Sequence, residues 1–160
     1  MRMRARFLIP LLVAGCASDG ATLKPGVSSA EEVVRTMGPP ALEVANPDGS
    51  KNMAYPKGYF TGQTFMVKVG PDGMVQGVEQ VLNDDTFRRI VPGLTREDVL
   101  RMIGPPIEVT DFPRLQQTAY DYRFHDTWGY DAVLSVMIDP KGVVVGKTTR
   151  RIDRGDDKRK

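Results

Sequence analysis

The pattern of hydrophobic and polar positions along the chain predicts two short amphipathic helices. Apolar side chains recur at spacings of i, i+1 and i+4, which places them on one face of a helix. They are Val33, Val34 and Met37 in the first helix and Val99, Leu100 and Ile103 in the second. We expect the first and last member of each triplet to be buried against a neighbouring element.

Both predicted helices begin and end with residues that favour helix termini. Ser29 and Thr95 are N-cap residue types, since their hydroxyls can accept a hydrogen bond from the first helical turn. Glu32 and Asp98, three residues later, can bond back to the cap or favour the positive helix end. A glycine and two prolines follow each apolar stripe, and proline cannot continue a helix. Each helix is therefore short and sharply bounded.

Alternating and β-branched segments after each helix predict antiparallel strands. The predicted strands are 63–69 and 74–81 in the first half, and 118–124, 132–138 and one beginning at 143–145 in the second. A further strand near Ala54 in the first half is weaker, because Pro56 and Gly58 interrupt it. The order of one helix and three strands in each half predicts an α+β fold.

The two halves align as copies of one unit. Residues 29–40 match residues 95–106 position by position, at a spacing of 66 residues. Farther along, 54–55 align with 119–120, and 73–75 align with 142–144. The chain therefore contains an internal repeat.

We predict two tandem modules, each a short helix packed on a three-stranded antiparallel sheet, at residues 25–90 and 91–153. Small modules bury little surface, so packing them together would stabilise both. Phe87 and Ile90 are expected to form one helical turn at the junction. The charged tail, 154–160, has no apolar residue to fold around and is expected to be disordered.

The beginning of the chain has the features of a secretory signal that ends in a lipid-attachment site. Three arginines precede an apolar run too short to span a bilayer, and Cys16 follows the small residues Ala14 and Gly15. This arrangement resembles the bacterial lipobox. We expect 1–15 to be a signal peptide, Cys16 to be lipidated, and 16–24 to be a tether. The alternative is that Cys16 is an ordinary thiol in a discarded signal.

Charge and cysteine content narrow the possible functions. Three of the 22 Lys and Arg residues lie in the signal, which leaves 19 cationic against 20 anionic side chains. Nothing in this balance favours a nucleic-acid partner. Cys16 is the only cysteine, so the mature chain would have no disulfide and no thiol-based site. The following Ala17-Ser18, without Asp, resembles the sorting pattern of outer-membrane lipoproteins, which face the periplasm.

Trp128 and Tyr130 are the candidate partner-binding residues. They lie in a predicted hairpin loop, and both residue types are enriched in binding hot spots. The alternative is that they fold back over the hydrophobic face of the sheet. Tyr120 and Tyr122 have the same parity on their strand, so they share a face and are expected under the helix.

No pattern of residues predicts catalysis, a metal site or a cofactor. His125 is the only histidine, so neither a His–His metal pair nor a His–Cys catalytic pair can be built with the mature chain. It lies in the same predicted loop as Trp128. The serines lack the setting of a nucleophile elbow. We therefore expect a protein that is not an enzyme.

Residues 92–150 resemble the SmpA/OmlA module of BamE-like outer-membrane lipoproteins. In that family a glycine, a hydrophobic residue and threonine lead into a short helix, which is followed by Gly-Pro, an aromatic strand and a glycine-turned hairpin. The matching residues are Gly93, Leu94, Thr95, Val99, Gly104, Pro105, Tyr122 and Gly142. The first module matches less closely, because one extra residue separates Gly26 from its helix.

The resemblance implies helices packed on antiparallel sheets and a non-enzymatic lipoprotein. Such a protein would support outer-membrane protein assembly or envelope integrity by binding an envelope protein, with barrel-assembly machinery as the candidate partner. The chain differs from single-module family members in carrying two copies. Tandem modules of related architecture also occur in β-lactamase inhibitory proteins. The alternative function is therefore a periplasmic binding or inhibitor module that acts on an envelope enzyme.

Overall fold

The computed structural model describes residues 20–152. Its helices are α1 (Ala30–Met37), α2 (Asp84–Arg88) and α3 (Arg96–Ile103). Its strands are β1 (Leu42–Ala45), β2 (Lys51–Pro56), β3 (Thr64–Val69), β4 (Val75–Gln80), β5 (Glu108–Phe112), β6 (Gln117–His125), β7 (Asp131–Ile138) and β8 (Val144–Arg151). The predicted signal, Cys16 and the charged tail lie outside the described residues.

The strands form two antiparallel meanders, one in each half of the chain. Sheet 1 has the order β1-β2-β3-β4 and sheet 2 the order β5-β6-β7-β8. The α+β class and the two modules are thus confirmed, but the prediction of three strands per sheet was wrong. The missed strand in each module is the edge strand that follows the helix. Its residues alternate only between half-buried and exposed in β1 and are mostly exposed in β5, so their hydrophobic pattern is weak.

The repeat extends to individual backbone contacts. Ser29 forms an isolated bridge with Met74, and Thr95 forms the corresponding bridge with Val143. These bridges place the helix N-cap of each module beside the turn that precedes its last strand. Both sheets also change register once between their last two strands, at Lys68/Val69 and at Met137/Ile138. Because the same bridge and the same register shift occur in both modules, the two modules share one fold.

The alignment of the tyrosines requires a correction. The Tyr55 hydroxyl donates to the Gly38 carbonyl at 3.2 Å, and the Tyr122 hydroxyl donates to the Gly104 carbonyl at 3.1 Å. Tyr55 therefore corresponds to Tyr122, and not to Tyr120 as the sequence alignment had it. The cause is the hairpin before this strand, which is one residue longer in the second module: position 42 pairs with 54, whereas 108 pairs with 121.

The helix termini form as predicted. The Ser29 hydroxyl accepts a hydrogen bond from the Glu32 N–H at 3.3 Å. Thr95 and Asp98 form a full capping box, in which each side chain accepts from the other residue's backbone N–H. At the other end, Gly38 and Gly104 adopt φ of 84° and 79°, a region that side chains disfavour.

The elements stack in the order α1, sheet 1, α3, sheet 2. One face of sheet 1 packs on α1, whose buried residues are Val33 and Met37. Ala54 and Met66 on its other face join the core formed by sheet 2 and by the buried residues of α3, Val99 and Ile103. The prediction that these four helix residues are buried is confirmed. The Asn52 amide also donates to the Arg101 carbonyl at 2.9 Å, so polar contacts join the two modules as well.

A helical turn joins the modules, as predicted; it contains Phe87, whereas Ile90 follows its end. α2 begins after Asn83, whose side chain accepts from the Thr86 N–H. Phe87 is buried and packs edge-on against Phe124, with ring centroids 4.7 Å apart. The Lys147 ammonium donates to the carbonyls of Phe87 and Ile90 at 2.5 and 2.6 Å, which satisfies the C-terminal end of the turn. Within residues 20–152, no helix has the length and apolarity needed to cross a membrane.

Candidate functional site

The turn at 126–130 is held rigid by one carboxylate. Asp126 Oδ1 accepts from the backbone N–H groups of Trp128 and Tyr130, both at 2.9 Å. The Asp126 N–H donates to the Tyr130 carbonyl at 2.9 Å and so closes the hairpin. Gly129 adopts a φ of 79°, which only glycine adopts readily. The turn therefore fixes the positions of the two aromatic residues that it carries.

Trp128 and Tyr130 are exposed to solvent. Trp128 keeps 77% of its surface accessible and Tyr130 keeps 57%. Both predicted site residues are thus on the surface, and the alternative in which they fold over the hydrophobic face of the sheet does not occur. Tyr120 and Tyr122, in contrast, lie against the core as expected. Burial strongly raises the pKa of the Tyr122 phenol, so this group stays neutral.

Arg151 supports the turn from the neighbouring strand. Its Nε donates to Asp126 Oδ2 at 2.7 Å, and its guanidinium carbon lies 4.5 Å from the ring centroid of Tyr130. Desolvation acts to raise the pKa of the Asp126 carboxyl, but hydrogen bonds from the Tyr130 backbone, Arg151 and the Trp128 backbone outweigh it and lower that pKa. Asp126 is therefore ionised at neutral pH, and the ion pair is intact.

A second loop, at 57–63, carries two more exposed aromatic residues. Tyr59 is 46% accessible and Phe60 is 72% accessible, and their rings meet edge to face with centroids 5.0 Å apart. These two residues were not predicted as site residues from the sequence. Two adjacent aromatic residues in a loop with two glycines are a signal that could have indicated them.

Loop 57–63 of the first module lies against the second module. A Cβ added to Gly62 would come within 2.8 Å of His125 Nδ1 and 2.9 Å of Phe124 Cα, so no side chain fits there. Phe124 and His125 directly precede the turn at 126–130. The two loops are thus neighbours, and we call their four exposed aromatic residues the aromatic end: Tyr59, Phe60, Trp128 and Tyr130.

Arg123 lies beneath the rings of loop 57–63. Only 6% of its surface is accessible. Its guanidinium carbon is 4.9 Å from the Tyr59 ring centroid and 5.4 Å from that of Phe60, both within cation–π distance. The guanidinium also pairs with Asp131 at 3.4 Å. A buried cation therefore lies directly beside the aromatic end.

His125 pairs with Asp131 through Nε2 and Oδ1, 3.3 Å apart, at the start of the hairpin. Among residues 20–152, no group of three or more His, Cys, Asp and Glu side chains is arranged to hold a metal ion. His125 thus lies in the described structure as a surface residue beside a carboxylate.

Comparison with known proteins identifies no family. No protein-family model matches the chain, and no curated protein matches it. A solved structure, that of the DUF4309 family protein YjgB from Bacillus subtilis, aligns with 84% of this chain and 86% of its own at 15% identity. The TM-score of that alignment is 0.34, which is too low to support an argument about fold or function.

Proposed function

We propose that the protein is a non-enzymatic lipoprotein, anchored in the outer membrane and facing the periplasm, that binds an envelope protein through its aromatic end. Its role is of the BamE-like type, in support of outer-membrane protein assembly or envelope integrity. The observation that carries this proposal is the set of four exposed aromatic rings on two neighbouring loops.

Physical reasoning supports binding at the aromatic end. Large aromatic rings that remain in water gain hydrophobic free energy when a partner covers them. Trp128 and Tyr130 stand on a turn that Asp126 already fixes, so little conformational freedom is lost on binding. A fixed aromatic pair of this kind is typical of binding hot spots.

The residues that follow the proposed anchor pack against the first module. Leu23 is buried in the core of the first module, and the Gly26 N–H donates to the Val75 carbonyl. The described part of the expected tether, from Gly20, thus packs against the module. Three residues separate Gly20 from Cys16, a span of about 14 Å at most when fully extended. Lipidation of Cys16 would hold the first module close to the membrane surface.

The anchor can be tested by removing its attachment point. Cys16→Ala should abolish acylation and leave an unprocessed or mislocalised precursor, since no other thiol can accept the lipid. Membrane fractionation with a globomycin-treated control measures this directly. Normal processing and normal outer-membrane sedimentation of the variant would overturn the lipoprotein part of the proposal.

Binding at the aromatic end can be tested by crosslinking in intact cells followed by mass spectrometry. The double variant Trp128→Ala/Tyr130→Ala should lose the partners that the wild-type chain crosslinks, because truncating a central aromatic residue commonly costs at least about 2 kcal/mol of binding. Its thermal unfolding should change little, since both rings are exposed. Phe112→Ala is the matched control, because Phe112 is an exposed aromatic residue of sheet 2 outside the aromatic end.

Each crosslinking result supports or contradicts a different part of the proposal. Unchanged crosslinks in the double variant would contradict binding through Trp128 and Tyr130. Recovery of barrel-assembly subunits with the wild type would favour the assembly role. A separate activity assay tests the non-enzymatic role. Turnover of any cell-wall or lipid substrate above background, lost on changing one carboxylate, would contradict that role.

The inhibitor function is the second candidate, and the outer face of sheet 2 favours it. Asp121, Ser135 and Met137 lie on the face turned away from α3 and are only half-buried. A sheet face of this kind could contact an enzyme. Under this alternative, purified protein should slow a periplasmic hydrolase in a concentration-dependent way, and barrel-assembly subunits should not be recovered with it.

A further inference from the structure

A cleft lies between loop 57–63 and the second module, where the two modules meet. Its volume is about 300 Å³. The lining is mostly apolar and rich in proline: Pro56, Tyr59, Leu82, Pro105, Pro106 and Ile107. Arg123 is the one charged residue among those that line the cleft in residues 20–152, and the other polar side chains there are uncharged. The cleft thus combines an apolar wall with a single cation.

The Arg123 guanidinium is under-satisfied where it lies. Its Nε is buried and has no hydrogen-bond partner. Its ion pair with Asp131 is long, at 3.4 Å, and Asp131 also pairs with His125. A guanidinium offers five N–H donors, and burying a charge without matching acceptors is unfavourable. The rings of Tyr59 and Phe60 also contact the charge.

The ring of Phe60 over the guanidinium can give way to a ligand at small cost. Phe60 is 72% accessible, so moving it aside sacrifices little packing, whereas Tyr59, at 46%, can stay in place as part of the cleft wall. An acceptor that entered the cleft beside Arg123 would satisfy the guanidinium edge that includes Nε, which has no partner of its own. This edge matches two oxygen atoms in one plane, which is the geometry of a carboxylate.

We propose that the cleft beside Arg123 binds a carboxylate carried on a small apolar group, as found at the C-terminal end of a peptide or on an acidic side chain. One cation in an apolar wall suits a singly charged anion better than a doubly charged phosphate, because a second negative charge would be desolvated without a partner. This inference goes beyond the proposed function, since it requires neither the lipid anchor nor the Trp128 turn.

The test uses the full mature chain and short peptides as probes. N-acetyl-Gly-Ala-Leu with a free carboxylate, the same peptide as its amide, and N-acetyl-Gly-Ala-Glu amide are titrated by NMR against the isotope-labelled wild type. Sodium acetate is the fourth probe. The free acid should shift the amide signals of Gly58 and Ile107 in the cleft, and the leucine amide should not. The glutamate peptide distinguishes a side-chain carboxylate from a C-terminal one, and acetate shows whether the apolar group contributes.

Variants separate a role of Arg123 from general charge effects. Arg123→Gln should weaken binding of the acid peptide at least tenfold. Arg150→Gln should leave it unchanged; Arg150 is exposed and lies across Val133 on the same face of the sheet, so it is the matched control. The proposal is overturned if acid and amide peptides bind equally, or if the shifts on wild type lie outside the cleft. The second outcome needs no variant, so it decides the matter even if Arg123→Gln fails to fold.

Discussion

The two modules have one fold, but their sheets differ in the burial of the face turned away from the module's own helix. In sheet 1, Ala54 pairs with Met66, and both are buried beneath α3. At the corresponding positions of sheet 2, Asp121 pairs with Ser135, and both are only half-buried. The hydrogen-bonded framework is the same, so the difference lies in what each face contacts. The first sheet buries apolar side chains on both of its faces because it lies between two helices, whereas the second lies at the end of the stack.

The helices differ in the same way. α1 packs on sheet 1 and exposes Val34, at 41% accessibility, on its other side. The corresponding Leu100 of α3 is half-buried, since α3 lies between the two sheets. A repeat of identical units would give each module the same surfaces. In this chain α3 and sheet 1 lie in the interior, so the two modules depend on each other for their core.

The largest expected effect follows from the shared core. Ile103→Ala should destabilise the protein by about 2–5 kcal/mol, because Ile103 is fully buried and its truncation leaves a cavity. Urea denaturation followed by circular dichroism measures this. Met37→Ala, at the corresponding position of α1, is the matched comparison. We expect a single cooperative transition for both variants. Two separate transitions, with Ile103→Ala moving only one, would show that the modules fold independently.

Exchanging residues between the two sheet faces tests the comparison directly. Met66→Ser places the residue of sheet 2 in the buried face of sheet 1 and should cost about 2–4 kcal/mol, since it removes a buried side chain and buries a hydroxyl. Ser135→Met, the reverse change, should alter stability by less than about 1 kcal/mol. The same urea series measures both. Similar losses in the two variants would mean that the faces of the sheets are equally buried.

The sequence predicted the elements whose burial is one-sided and strong. The helices, their caps and the central strands were found because their apolar positions recur with a clear period and their ends carry cap or turn residues. The edge strands β1 and β5 were missed since an edge strand buries few side chains. The position of α3 between two sheets could not be predicted, because it depends on contacts between residues about 50 positions apart, such as Asn52 with Arg101.

The candidate site was predicted in part. Trp128 and Tyr130 were predicted to lie in a hairpin loop, because the hairpin was visible in the alternation of its strands, but their exposure was left open. Tyr59 and Phe60 were missed, although their loop interrupts a strand pattern in the same way. That loop reaches the turn only because Gly62 allows it to lie on Phe124, a contact between the modules that no local pattern encodes.

The smallest expected effect distinguishes the caps of the two helices. The hydrogen bond from Thr95 is the main cause of the lowered pKa of Asp98, with Arg101 nearby adding to it. A folded-state pKa below the unfolded value means that the ionised carboxylate stabilises the fold above about pH 4. This contribution is lost as the pH falls through the folded-state pKa. Asp98→Asn should therefore lower the free energy of unfolding by at most about 1 kcal/mol at pH 7, because solvent screens this partly exposed carboxylate. At pH 2.5 the loss should be almost nothing.

The comparison variant for the first helix is Glu31→Gln. A hydrogen bond with Ser29 lowers the pKa of Glu31, so its effect should have the same sign and the same pH dependence. It should be smaller, because Glu31 is fully solvated and the capping box of α3 involves Asp98 with both the backbone and the hydroxyl of Thr95. Urea unfolding of the wild type and both variants at pH 7 and pH 2.5 gives the four differences needed. A loss for Asp98→Asn that persists at pH 2.5 would show that the carboxylate charge is not its source, and equal losses for both variants at pH 7 would show that the two caps are equivalent.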